Sequence, residues 1–153
     1  MTYNVRSFHA NIDSFLSIFD DVSLPDILVL TETWFAPDTS CDIPWFCSYH
    51  TYRIVGRSEG VLIFVTNNLF SYMFPDLCIS DINIEVCTIT VRVSNSSFII
   101  LGIYRPHSGT IENFIASLNY QEVSNKPILL LEDLNIIILN GNLQAEICMN
   151  HLG

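Results

Sequence analysis

Lys126-Pro127-Ile128-Leu129-Leu130-Leu131-Glu132-Asp133-Leu134-Asn135 is the stretch on which the reading of this chain turns. A proline opens an unbroken apolar run, which delivers an acid and an amide to its C-terminal end. Uninterrupted Ile and Leu of this length are expected of a strand buried on both faces. Polar side chains at the carboxyl end of such a strand usually face a crevice where ligands bind. A second segment has the same form: Pro25-Asp26-Ile27-Leu28-Val29-Leu30-Thr31-Glu32-Thr33-Trp34 ends its apolar run on Glu32. Two buried strands that each present a carboxylate suggest one shared acidic site, the usual setting for a divalent cation with oxygen ligands.

Composition bounds what such a site can serve. A chain of 153 residues is expected to form a single domain spanning 1–153. Half of it is hydrophobic and only 14% is charged, so apolar side chains suffice for a large core. No run approaches the roughly 18 uncharged apolar residues of a membrane helix. Residues 1–6 lack the basic and apolar regions of a signal peptide. The expectation is a soluble, intracellular chain with no membrane partner. The net charge of −10, with Lys126 the sole lysine, argues against holding nucleic acid by bulk electrostatics. Arg53, Arg57 and Arg105 fall near expected strand ends, either as one phosphate-facing patch or as scattered solubilising charge. The five cysteines (Cys41, Cys47, Cys78, Cys87, Cys148) show no CxxC pair and no clustering with histidine. Neither a disulfide framework nor a zinc site follows from them. Cys87, inside an alternating strand pattern, reads as a small core residue.

Periodicity supplies the elements. A helix is expected over 11–19, where Ile12, Phe15, Leu16 and Phe19 recur at helical spacing. Strands are expected over 26–31, 49–55, 61–65, 84–93, 98–104 and from Pro127 onward, with a long loop over 36–48. Ser94-Asn95-Ser96-Ser97 links two of these as an antiparallel hairpin; its sequon is read as a turn only. Helices are expected over 111–118 and 143–152. Strands outnumber helices and come in pairs, which implies a mixed, mostly antiparallel α/β arrangement.

Five motifs stand in register across residues 4 to 135: Asn4-Val5-Arg6-Ser7, Leu30-Thr31-Glu32-Thr33-Trp34, Gly60-Val61-Leu62-Ile63-Phe64-Val65, Ile103-Tyr104-Arg105-Pro106 and Leu131-Glu132-Asp133-Leu134-Asn135. Their order resembles that of the endonuclease/exonuclease/phosphatase superfamily. The Thr-Glu-Thr-Trp and Tyr-Arg-Pro forms resemble its branch in non-LTR (LINE-type) retrotransposons, encoded upstream of reverse transcriptase. The resemblance implies a DNase I-like two-sheet α/β sandwich and a metal-dependent phosphodiesterase acting on DNA. It makes Glu32 the metal ligand with Asn4 beside it, and Mg²⁺ or Mn²⁺ the ion. Asp133 becomes the residue that orients or deprotonates the attacking water, Asn135 its partner on the phosphate, and Tyr104 a phosphate contact. Arg105 and Arg57 would add positive charge for the substrate. Read singly, these residues have plainer explanations: Glu32 as an exposed strand-end acid, Tyr104 as a strand aromatic, Asn4 as a turn cap, Asp133 and Asn135 as loop formers.

The chain also departs from the pattern. Glu132 stands where the family usually has glycine, and its charge beside Asp133 is expected to raise a carboxylate pKa or repel phosphate. Glu59-Gly60 replaces the usual Gly-Gly, and Ile137 replaces an asparagine. The family's Ser-Asp-His motif does not occur in the 153 residues, and His9, His50, His107 and His151 are read as unrelated to it. The expectation is therefore a partial sandwich, clipped at the N-terminus, truncated after the Asp133 strand and impaired in catalysis. The rival expectation is a non-catalytic relic that associates, with itself or a partner, through an exposed sheet edge.

Overall fold

The computed structural model describes residues 1–18, 23–35, 40–51, 59–107, 109–110, 112 and 126–133. Strand β1 (Thr2–Asn4), helix α1 (Phe8–Ser17) and strands β2 (Ile27–Thr31), β3 (Phe46–Thr51) and β4 (Val61–Thr66) come first. They are followed by β5 (Phe70–Met73), a 3-10 turn (Pro75–Leu77), β6 (Ile79–Ser80), β7 (Glu85–Val93), β8 (Ser96–Tyr104) and β9 (Ile128–Asp133). One sheet runs β1-β2-β4-β3; the second runs β5-β7-β8-β9, with β6 also paired to β7. The pairings are antiparallel except β1–β2 and β8–β9, which are parallel.

The period of two along each strand determines which residues fill which layer. Leu28 and Leu30 of β2, with Leu62 and Phe64 of β4, form one core with Phe8 and Phe15 of α1 and with Phe35, Cys41 and Ile43. Val29, Val61, Ile63 and Val65 point the other way and meet Cys87, Ile89, Val91, Ile100 and Tyr104 of the second sheet. Strands β2 and β4 are thus buried on both faces, as an unbroken apolar run demands. Close approach of the sheets depends on Gly102: a Cβ there would lie 2.9 Å from Cγ1 of both Val29 and Val61.

Helix α1 begins at Phe8, three residues earlier than the apolar spacing suggests. Its first amide groups are not capped by a side chain. The Ser7 and Phe8 N–H groups donate to the Glu32 and Thr33 carbonyls (2.7 and 2.9 Å), so the end of β2 caps the helix. The hairpin β7–β8 is tighter than expected, with only Ser94 and Asn95 in the turn. Strand β3 starts at Phe46, inside the stretch read as loop. Residues 52–58, and the helices expected over 111–118 and 143–152, lie essentially outside the described residues.

One expectation is corrected. Strand β9 is not buried on both faces: Ile128 and Leu129 are 45% and 48% exposed. Among the described residues β9 pairs only with β8. Leu131 packs against the inter-sheet core while the start of the strand remains uncovered. An apolar run reports the capacity for burial, and edge position decides how much is realised.

Cys78 precedes β6 and, continuing the Ile79–Val86 register, stands opposite Cys87. The Cys87 thiol above all, and the Thr88 N–H 3.3 Å from the Cys78 Sγ, bring the Cys78 thiol down to about 7 from 9.0. Peptide-resolved alkylation of Cys78 by iodoacetamide is therefore expected to reach half its maximal rate near pH 7. In Cys87→Ala the midpoint shifts upward. A separate thermal unfolding measurement tests the sheet contact: Gly102→Ala forces the stiff Val29 and Val61 side chains apart and is expected to cost about 1–3 kcal/mol.

Candidate active site at the shared end of the two sheets

Both parallel pairs end at the same place. Asn4 is in register with Thr31, and Tyr104 with Asp133. Alternation puts Asn4 and Thr31 on the Val29 side of the first sheet, and Tyr104 and Asp133 on the Gly102 side of the second. The two sheets therefore bring four polar side chains to one end of their common interface. Asp133 Oδ2 accepts from Asn4 Nδ2 at 2.9 Å and from Thr31 Oγ1 at 2.9 Å. The same Asn4 nitrogen donates to Glu32 Oε1 at 2.7 Å.

Glu32 reaches this cluster by breaking the strand. Continued pleating would place it beside Leu28 and Leu30, on the helix side. Instead its backbone adopts φ 54°, and its carboxylate meets Asn4 and the Tyr104 hydroxyl, which donates to Oε1 at 3.4 Å. Arg6 (φ 45°), Ser7 (φ 87°) and Trp34 (φ 55°) share this left-handed backbone. Non-glycine residues held there cost roughly 1–3 kcal/mol each, and such strain concentrates at working sites. The cost is offset by the Ser7–Glu32 and Phe8–Thr33 bonds and by the Trp34 N–H, which donates to the Glu59 carbonyl at 3.0 Å.

A cavity of about 380 Å³ opens over the cluster, lined by Arg6, Glu32, Trp34, Glu59, Tyr104 and His107. Below it, Glu85 is fully buried on the inner face of β7 and accepts the Gly60 N–H at 2.5 Å. Burial, and then the charges of Glu59, Glu32, Asp133 and Glu85, push the Tyr104 phenol well above its usual value. Tyr104 therefore stays protonated and presents a hydrogen-bond donor among carboxylates.

The structure brings together Asn4, Glu32, Tyr104 and Asp133 of the residues named from sequence. Arg105 is placed differently. It is 3% exposed, and its Nη1 donates to the Gly109 carbonyl at 2.5 Å, so the guanidinium braces the chain after β8 instead of facing the cavity. Arg57 and Asn135 lie outside the described residues. The clash expected between Glu132 and Asp133 does not arise, because successive strand residues face opposite ways. Desolvation alone raises the Glu132 carboxyl. Sequence reasoning missed Thr31, Arg6, Trp34, Glu59, Glu85 and His107. Arg6 and His107 each lie two residues beyond a named site residue, which was the available signal. Glu59, seen only as a lost glycine, adds a carboxylate to the cavity wall.

The profile of the Endonuclease/Exonuclease/phosphatase family matches residues 1–139. The chain belongs to this family. No curated protein matches the sequence. Among solved structures it is similar to the endonuclease domain of TRAS1, a telomere-specific non-LTR retrotransposon, at 15% identity and a TM-score of 0.69, over 99% of this chain and 68% of that one. It is also similar to the 3'-5' exonuclease NExo from Neisseria meningitidis, at 19% identity and a TM-score of 0.61, over 99% and 69% of the two chains. TDP2 of D. rerio in complex with a single-strand DNA product follows at 12% identity and a TM-score of 0.58, over 99% and 63%. At these identities the likeness is one of fold, and it confirms the DNase I-like two-sheet architecture.

Enzymes of the endonuclease/exonuclease/phosphatase family generally use divalent metal ions. The carboxylate of Glu32 is a hard oxygen ligand suited to one, with Asn4 beside it: the Asn4 Oδ1 accepts the Arg6 N–H at 3.2 Å and its Nδ2 faces the acids. Among the described residues no three His, Cys, Asp or Glu side chains form a metal-holding group. As the side chains stand, the Asn4 amide nitrogen bridges the two carboxylates. Asn4→Ala leaves both acids without this donor and is expected to lower stability by about 1–3 kcal/mol, read by chemical denaturation.

Proposed function

We propose that this domain is a divalent-metal-dependent phosphodiesterase of the DNA endonuclease type, descended from a non-LTR (LINE-type) retrotransposon in which it accompanies a reverse transcriptase. The observation that carries the reading is the convergence of Asn4, Glu32, Tyr104 and Asp133 at one strand-end cavity. The similar proteins support it: the TRAS1 domain is an endonuclease, and NExo and TDP2 occur in complexes with product DNA.

In this reading Glu32 would hold Mg²⁺ or Mn²⁺, with Asn4 beside it. The ion, when bound, polarises the scissile phosphate and offsets charge on the leaving oxygen. Asp133, oriented by Thr31 and Asn4, accepts a proton from the attacking water. Tyr104, kept neutral, donates to a phosphate oxygen, and Asn135 completes the phosphate contacts. Among the described residues Arg6 and His107 line the cavity and add basic side chains to it. The 153 residues carry no Ser-Asp-His motif, and slow turnover is expected of this polypeptide tested by itself.

Nicking of supercoiled plasmid by the purified chain is the test. Weak nicking is expected with Mg²⁺, none with EDTA, and a loss of at least about 100-fold in Glu32→Ala and in Asp133→Ala. Nicking that ignores both substitutions would overturn the assignment. A second reading, as a non-catalytic interaction domain, rests on the exposed Ile128 and Leu129 at the β9 edge. It calls for concentration-dependent association in sedimentation that Leu129→Lys abolishes, and no nicking in the plasmid assay.

A further inference from the structure

Trp34 does not serve the core. Its indole is 45% exposed, although large aromatic side chains are normally covered. Its backbone sits at φ 55° and is pinned there by the bond from its N–H to the Glu59 carbonyl. Strain and pinning together place an exposed aromatic side chain in the wall of the cavity that contains Glu32 and Tyr104. That wall also carries Arg6 and His107, two basic side chains in a chain whose net charge is −10.

An aromatic face, two groups able to contact phosphate and an acidic centre form the elements of a nucleotide site. The cavity volume of about 380 Å³ is of the size that takes one small ligand. A base within a duplex has no free face for a side chain to stack on, whereas an unpaired base has one. We propose that Trp34 stacks on a single unpaired nucleobase of single-stranded or locally opened DNA, next to the phosphodiester held at Glu32, while Arg6 and His107 contact the backbone of that nucleotide. The proposal rests on the phosphodiesterase reading and specifies its substrate: strand ends, loops and frayed sites are bound in preference to intact duplex.

The test uses Trp45→Phe as background. It removes the other tryptophan of the chain, which is 78% exposed, and leaves Trp34 as the fluorescent reporter. Three probes are titrated in Mg²⁺: oligothymidylate, an abasic deoxyribose-phosphate oligomer of equal length, and a blunt duplex. Oligothymidylate is expected to quench Trp34 and the abasic strand to leave it unchanged. By anisotropy of labelled strands, the abasic oligomer and the Trp34→Ala protein each bind about ten-fold more weakly, and Trp34→Phe keeps most of the affinity. Unfolding temperatures of both variants report whether the fold is retained. Equal affinity for base-bearing and abasic strands, tightest binding to the duplex, or no binding of any strand would each overturn the proposal. Metal-dependent nicking that Trp34→Ala leaves unchanged sinks the stacking site and spares the phosphodiesterase. Base-dependent quenching without nicking does the reverse.

Discussion

The Asn4 carboxamide donates to Glu32 and to Asp133, and through these bonds three strand ends from two sheets are held at one point. Asn4 closes β1, Glu32 follows β2 and Asp133 closes β9, so the contact links segments 28 and 129 residues apart in sequence. It is available only because β1–β2 and β8–β9 are the parallel pairs, which run their carboxyl ends to the same side. Two carboxylates gathered at one place repel each other, and an intervening pair of N–H donors is what makes the gathering tolerable in the protein alone. A divalent cation meets the same electrostatic need with far greater charge.

Strain at the end of β2 serves both structure and site. The left-handed turn at Glu32 removes its side chain from the helix face and gives it to the inter-sheet face. The backbone carbonyls of Glu32 and Thr33, freed by that turn, cap α1. The helix that covers one core therefore depends on the same few residues that present the acid to the cavity. Next to it, Gly60 bonds Glu85 through its amide in a left-handed conformation that costs glycine little. These couplings tie the acidic end of the sandwich to the helix and to both sheets, whereas the start of β9 remains exposed at its edge.

The electrostatics of the cavity are divided. Glu32 and Glu59 line it beside Arg6 and His107, with Trp34 between strand end and solvent. An endonuclease/exonuclease/phosphatase domain with a net charge of −10 cannot gather a polyanion by long-range attraction. Short-range contacts from the side chains that line this cavity are the means that composition leaves open.

The strand runs, the helix and the order of the acidic motifs were legible in the sequence, because apolar periodicity and residue type are local properties. Leu28 to Thr31 reads as a doubly buried strand and is so, and Val61 to Val65 reads as a strand and forms one. Glu32, Asp133, Asn4 and Tyr104 could be named as chemistry-bearing residues, and the family resemblance that they carry agrees with the family match. Exposure of Ile128, burial of Arg105 and entry of Glu59, Glu85, Trp34 and His107 into or beneath the site were not legible. Each depends on which strand is an edge, on how the chain turns after a strand, or on what the opposite sheet presents. Residue order determined which side chains were available for catalysis; the register of two parallel strand pairs and one strained turn decided which of them meet, because side-chain direction in a sheet follows pairing and pleat across segments far apart in the chain.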